Sequence, residues 1–275
     1  MDFLIVDGKV ISEDEIELHS FLQENTFQLA EKIWFGYGGI PFFKENIELL
    51  QHQMQLLQLE VPEELKNTRE LFRITKRMLN KNKLYRSGLI RIELSWKNDR
   101  PTTLITSHPS TEFEFPFQEQ GILLHFSNHR KFSKDSFNPY SFYNQPRWKI
   151  AERELKNTSF KDTIFLNEND TVCECLKKNI YILKSNMLIT PSKDTGCYVD
   201  VARSSILEIA ENSGIQVTQT EDIKTEDILQ ADELFTVSEE YAFQWILGVE
   251  QKRFVRNLSN EVYDKFVNFL KEKAH

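Results

Sequence analysis

Cys173, Cys175 and Cys197 form a Cys-x-Cys pair with one more distant thiol. Three thiolates at such spacing could ligate a metal. No histidine lies close in sequence to complete the set, so three small buried thiols are the better expectation. Glu174 stands between the first two, and a strand acid there reads either as a solvated residue or as a carboxylate held in a pocket. Ser141 offers a hydroxyl, but no adjacent His–Asp/Glu pattern accompanies it, so a hydrolase triad is weakly supported. His125 and His129 lie at a strand end and read as packed or exposed rather than as bases or metal ligands. Gly36, Gly38 and Gly39 interrupt IWFGYGGIPFF without a following Lys-Ser/Thr and without Gly-x-Gly-x-x-Gly. They read as turn geometry, not as a phosphate loop.

The elements that position these residues follow from period and turn chemistry. FLIVDGKVI reads as a hairpin around Asp7-Gly8, and IWFGYGGIPFF as two strands with a turn. An amphipathic helix is expected over about 44–59, with Ile47, Leu50, Met54 and Leu57 on one stripe. A second is expected over 67–79, with Leu71, Ile74 and Met78 inward. SGLIRIELSW alternates, with Ile90, Ile92, Leu94 and Trp96 on one face, and RPTTLITSHP is its hairpin partner. Residues 107–120 are acidic and aromatic without a helical stripe, which suggests a linker between domains at 1–106 and 121–275. The second half then reads as the strand GILLHFS, a helix over 147–157, the strands around Glu174, a helix over 201–213 capped by Gly214, a short helix and strand in TEDILQADELFTVS, and a closing helix over 260–273. The fold class implied is mixed α+β in two domains.

The chain has 275 residues, enough for a sizeable core, and a net charge of −8, which argues against a nucleic-acid partner. Twenty-one phenylalanines point to an aromatic core or interface. No apolar run is long enough for a membrane helix. MDFLIVDGKV has no basic region before its apolar stretch, and an odd cysteine count suits a reducing compartment, so a cytoplasmic protein is expected.

The stretch from Asp162 to Arg203 resembles the core of the class IV pyridoxal-phosphate (PLP) enzymes: branched-chain aminotransferases, D-amino acid transaminases and aminodeoxychorismate lyases. The pieces that carry the resemblance are IFLNEND, Val172-Cys173-Glu174, Asn179-Ile180-Tyr181, Leu188-Ile189-Thr190-Pro191 and Gly196, with Ala231 to Ser238 (ADELFTVS) further on. The resemblance implies PLP-enzyme fold type IV and a homodimer, whose apolar interface IWFGYGGIPFF could supply. Glu174 then matches the acid that keeps the cofactor's pyridine nitrogen protonated. The family's Schiff-base lysine falls near Tyr140, Ser141 and Phe142, and the spacing to Asn144 puts Ser141 at its place.

Other family positions are altered as well. Asn46 and Leu49 stand where a histidine and the phosphate arginine are usual. Asp200-Val201-Ala202 replaces the phosphate-binding Gly-Ile/Val-Thr, leaving the N–H groups of Val201 and Ala202 but adding a charge. An acid, Glu239, stands beside Ser238 where a hydroxyl would face the phosphate. Glu31 is the only survivor of the family's N-terminal motif, and Arg91 lies on a strand that contacts substrate in relatives. Lys134 and Lys149 are candidates for a substitute lysine. The expectation is a degenerate or repurposed member that holds PLP weakly or not at all, with an anionic small molecule as a ligand candidate. The alternatives are a working aminotransferase or lyase with a relocated lysine, or an enzyme of another class using the same pocket.

Overall fold

In the computed structural model, which describes residues 2–15, 27–97, 100–112 and 114–274, the chain divides into two compact units. The first comprises residues 1–114 and 270–275, the second 115–269. The ends of the expected linker are strands: residues 107–109 close β5 (Arg100–Pro109) and 117–120 open β6 (Phe117–Lys131). Aromatic and acidic character does not preclude a strand, because alternate side chains face different surroundings.

The first unit is a five-stranded antiparallel sheet in the order β2-β1-β5-β4-β3, from β1 (Phe3–Val6), β2 (Lys9–Ser12), β3 (Phe27–Phe35), β4 (Gly88–Lys97) and β5. The β1–β2 hairpin turns on Asp7 and Gly8, both with positive φ (44° and 77°), as a two-residue hairpin requires. β4 pairs with β5 along its whole length, and Ile90, Ile92, Leu94 and Trp96 are all buried, as their alternation implies. Helices α1 (Phe43–Leu56) and α3 (Thr68–Lys81) pack on this sheet, with the single turn α2 (Glu63–Lys66) between them. Thr75 rather than Ile74 completes the inner stripe of α3, its hydroxyl donating to the Leu71 carbonyl at 2.8 Å. IWFGYGGIPFF does not make a second strand; its end feeds α1. Ile33, Trp34, Phe35, Ile40, Phe42 and Phe43 are each at most 4% exposed, so these side chains are core and not an exposed face.

The second unit is a nine-stranded mixed sheet in the order β11-β10-β9-β12-β13-β6-β7-β8, with β14 (Lys252–Arg253) beside β13 (Ala242–Val249). Its other strands are β7 (Asp162–Asn167), β8 (Val172–Cys175), β9 (Asn179–Lys184), β10 (Met187–Pro191), β11 (Gln216–Thr220) and β12 (Glu233–Ser238). One face carries the aliphatic core: Ile164, Leu166, Val172, Ile180, Ile182, Leu234 and Ile246 pack with Ile223, Ile228 of α6 (Thr225–Leu229) and Phe254. The other face is aromatic. Tyr181 pairs with Phe235 and Phe235 with Trp245 in register, and the rings of Tyr181, Phe235 and Phe243 stack at 4.9 and 4.7 Å. Helix α4 (Ser141–Leu155) contacts β7, and α5 (Arg203–Asn212) contacts β11. GILLHFS marked only the centre of β6, and β13, whose alternation is broken by two register shifts, left no clear period.

Glu233, inside the family-like ADELF strand, has a structural task. Its buried carboxylate accepts from the N–H groups of Asn257, Leu258 and Ser259 (2.7–3.0 Å) and from the Ser259 hydroxyl at 2.6 Å. It thereby caps the N-terminus of α7 (Leu258–Lys273), where helix N–H groups lack partners and the macrodipole favours negative charge. Glu233→Ala is expected to destabilise the protein by about 2 kcal/mol, because it uncaps the helix and leaves the buried Ser259 donors unpaired. A urea titration followed by circular dichroism measures this; an unchanged midpoint would contradict the capping role.

Candidate functional site around Glu174

Glu174 sits in β8, opposite Phe165 of β7, so both side chains point to the same face of the sheet. On that face Phe165 packs with Trp148 and Ala151 of α4 and with Leu176 and Tyr198. The Glu174 carboxylate therefore lies among aromatic rings, where a bare charge would be costly. It has three donors instead. Oε2 accepts from the Lys131 ammonium at 2.5 Å and from the Tyr198 backbone N–H, and Oε1 accepts from the Trp148 indole N–H at 3.0 Å. Both charged side chains are 0% exposed.

Lys131 is delivered by the last residue of β6, opposite Asn167 of β7. The register between these strands shifts between Phe126 and Arg130, and such an irregularity re-aims the side chains beyond it. That shift explains why sequence reasoning passed over Lys131: a lysine at a strand end ordinarily faces solvent. The two lysines singled out as substitutes are elsewhere. Lys134 is exposed, and Lys149 is 68% exposed and bonded to Glu152 at 3.2 Å. Ser141 is the first residue of α4 and is buried; the residue of that helix that meets Glu174 is Trp148, two turns on.

Beside Glu174 the segment 196–202 folds over the same face. Gly196 has φ 78°, and a Cβ there would approach the Ser133 Cα to 2.8 Å, so glycine is needed for this close pass. Asn179 clamps the segment at two points, donating to the Tyr198 carbonyl at 2.6 Å and accepting from the Asp200 N–H at 3.0 Å. The Asp200 carboxylate accepts from the Ala202 N–H at 2.9 Å and the Glu239 N–H at 3.1 Å through Oδ1, and from the Tyr198 hydroxyl at 3.3 Å through Oδ2. Ala202 is buried and its N–H serves Asp200; Val201 is half-buried. Burial pushes the Asp200 carboxyl up to about 6, against the opposing pull of those three donors. Arg203 is buried at the start of α5, but its guanidinium serves Thr190, the Pro191 carbonyl and Gln219 (2.6–3.2 Å).

The remaining candidates have other neighbours. All three cysteines are buried, and burial pushes their thiols up from the ordinary range, so they are neutral packing groups. Cys173 and Cys197 donate to the carbonyls of Thr195 and Ser192 at 3.3 and 3.4 Å. His125 lies against Phe160 with ring centroids 5.1 Å apart, and His129 lies 2.9 Å from Glu154. The other candidates belong to the first unit. Arg91 bonds Glu93 at 2.7 Å, Glu31 accepts from Gln53 at 2.7 Å, and Asn46 donates to the Phe42 carbonyl of its own helix. Leu49 is a half-buried residue of α1.

Removing one member of a buried pair leaves an uncompensated charge, so Lys131→Met should destabilise by about 3–5 kcal/mol. Lys131→Met with Glu174→Gln should recover most of that loss, and a double-mutant cycle by urea unfolding measures it. Additive single-variant losses would contradict direct coupling. Asp200 gives a pH signature. Because its folded value is raised above 3.8, the native state binds the extra proton, and stability from this group falls as pH rises from about 4 to about 6. Asp200→Asn lacks this loss. Its stability relative to the parent should rise by on the order of 2–3 kcal/mol between pH 4 and 7, in a field shared with Glu240, Tyr198 and the Glu239 N–H. A flat difference across that range would contradict a buried, ionising Asp200.

Comparison with known proteins places this geometry. The chain matches the amino-transferase class IV family over residues 28–238. It is 28% identical over 251 residues to the aminodeoxychorismate lyase of Bacillus subtilis, covering 84% of this chain and 80% of that protein. The branched-chain aminotransferase of Thermoproteus uzoniensis, solved with norvaline, shares its fold at TM-score 0.84 and 18% identity, over 99% of this chain and 95% of that one. The PLP form of the Thermobaculum terrenum branched-chain aminotransferase aligns at TM-score 0.84 and 16% identity, over 99% and 94%. The chain belongs to the class IV aminotransferase family, whose chemistry depends on pyridoxal 5′-phosphate.

Proposed function

We propose that this chain keeps the class IV fold without the family's cofactor chemistry and acts as a binding or scaffold protein rather than as a transaminase or lyase. The observation that carries this reading is the contact between Lys131 and Glu174. In the family arrangement the glutamate holds the proton of the cofactor's ring nitrogen. Here the ammonium of Lys131 already supplies a positively charged donor to the same carboxylate, and Trp148 and the Tyr198 N–H supply two more. A pyridine ring would have to displace Lys131 and leave a charge buried without its partner. Ser141 cannot form a Schiff base, and the Ala202 N–H is engaged by Asp200. The residues present do not fit pyridoxal 5′-phosphate. A homodimer in the cytoplasm belongs to the same proposal, with its interface outside the buried 33–43 stretch.

A working enzyme with a relocated lysine is the second reading, favoured by the one fact that a lysine does meet Glu174. Geometry opposes it. The ring nitrogen and the carbon that a lysine must reach lie at opposite ends of the cofactor, so a serving lysine stands a ring's length from the glutamate. Lys131 is in direct contact with it, 2.5 Å away.

The test is titration of the purified protein with pyridoxal 5′-phosphate, followed by borohydride reduction and peptide mapping. Tryptophan fluorescence should stay unchanged, and no lysine should carry a pyridoxyl group in stoichiometric amount. Stoichiometric labelling of one peptide, that of Lys131 foremost, would reject the non-catalytic reading in favour of the relocated lysine.

A further inference from the structure

Between Lys66 and Arg86 the chain carries eight basic side chains and one acid, Glu70, although its net charge is −8. Helix α3 organises them. Its stripe of Leu71, Met78 and Leu79 is buried. Arg69, Arg73, Arg77 and Lys81 recur every fourth residue and are all exposed, so they form one row on the outer side. At a rise of about 1.5 Å per residue the row runs roughly 18 Å. Like charges four residues apart oppose helix formation, so helix stability does not account for the row. Glu70 accepts from Arg73 at 2.8 Å, and Lys81 lies 4.1 Å from the centre of the Phe3 ring. Arg69 and Arg77 have no hydrogen bond or ion pair among the described residues.

A second, independent feature adjoins the row. Ile40, Pro41, Phe43 and Phe72 line a cleft of about 490 Å³ beside Arg69. The Phe43 and Phe72 rings meet edge-on at 5.3 Å and give it an aromatic wall. Of the cations at its rim, Lys44 and Lys273 are paired with Glu48 and Glu45 at 3.6 and 2.7 Å, and Arg69 is not paired. Arg69 and Phe72 also line a second cleft of about 460 Å³ with Arg73 and Lys76, so the apolar cleft continues into the row of cations.

We propose that this face of the first unit docks a short acidic peptide segment of a partner protein. Its carboxylates meet Arg69, Arg73, Arg77 and Lys81, and an aromatic side chain enters the cleft beside Phe72. Arginine pairs with carboxylates through two parallel N–H groups, which fixes orientation as well as charge. Charge complementarity selects the acid, and the aromatic wall selects the anchor. A nucleic-acid strand matches the row less well, because a long phosphate polymer would also meet the acid excess carried by the rest of the chain. A membrane surface is disfavoured because the apolar stripe of α3 is turned inward and has nothing to insert. The surface belongs to the first unit, and the inference stands whether or not the Glu174 site takes a cofactor.

Fluorescence anisotropy of a labelled hexapeptide, one phenylalanine followed by five glutamates, tests it on the full chain at low ionic strength. Binding should saturate and weaken as salt is raised. Arg69→Glu with Arg77→Glu should weaken it by about tenfold or more, since both substituted side chains would then repel the peptide. Arg69→Gln with Arg77→Gln, which only removes charge, should weaken it by less. Lys156→Glu with Lys161→Glu makes the same change of net charge at exposed positions of the second unit and should leave binding within about twofold. A peptide with glycine in place of the phenylalanine should bind several-fold more weakly. All four substituted positions are exposed, and circular dichroism checks that each variant keeps the fold. Three results would overturn the docking surface: no saturable binding, equal loss in the two glutamate double variants, or no dependence on the phenylalanine. Tighter binding of a single-stranded DNA hexamer or of phosphatidylserine vesicles than of the peptide would also reject the assigned partner. Cofactor titration reads the Glu174 site in the second unit, so failure of this proposal and failure of the non-catalytic reading are seen separately.

Discussion

A buried ion pair constrains everything around it. Lys131 and Glu174 are charged side chains without exposure, and such a pair is tolerable only when the geometry is close and the remaining valences are met. The second unit supplies both conditions. β6 and β7 must run parallel in the observed register to bring Lys131 to its place. α4 must lie on the aromatic face for Trp148 to donate, and segment 196–202 must fold down for the Tyr198 N–H to do the same. Gly196 and Asn179 then read as the pieces that make the fold-down feasible, one by permitting a close pass and the other by clamping two backbone groups.

The same economy extends to the neighbouring acid. A carboxylate in a dry seat needs donors, and Asp200 draws them from the start of α5 and the end of β12. These donors do not fully offset the loss of water, which is why its carboxyl is raised. Tyr198 links the two, through its N–H to Glu174 and its hydroxyl to Asp200. In relatives that use a cofactor, a separate molecule brings a positive ring nitrogen and a negative phosphate. Under the proposed reading, Lys131 and Asp200 supply charges of those two signs from within the chain.

Much of the fold was legible because its signals are local. The alternation of Ile90, Ile92, Leu94 and Trp96 and the helical stripe of Ile47, Leu50 and Met54 each depend on neighbours in sequence. The segment from Asp162 to Arg203 was legible through resemblance, and Glu174 is a buried, paired carboxylate rather than a solvated strand residue. The misses are non-local. Lys131 reaches Glu174 only after a register shift, and no spacing in the sequence announces that. Asp200 was read only as an added charge, and its acceptance of the Ala202 and Glu239 N–H groups depends on segments far apart in sequence. The 33–43 stretch was read as an interface because apolar residues alone do not say which surface they will cover.

The most direct measurement is a crystal structure from crystals grown in excess pyridoxal 5′-phosphate. The account predicts that the Lys131 ammonium stays within hydrogen-bond distance of Glu174, with no ring density between Glu174 and segment 196–202. A pyridine ring nitrogen against Glu174, with Lys131 swung away or bonded to the ring's far end, would contradict it.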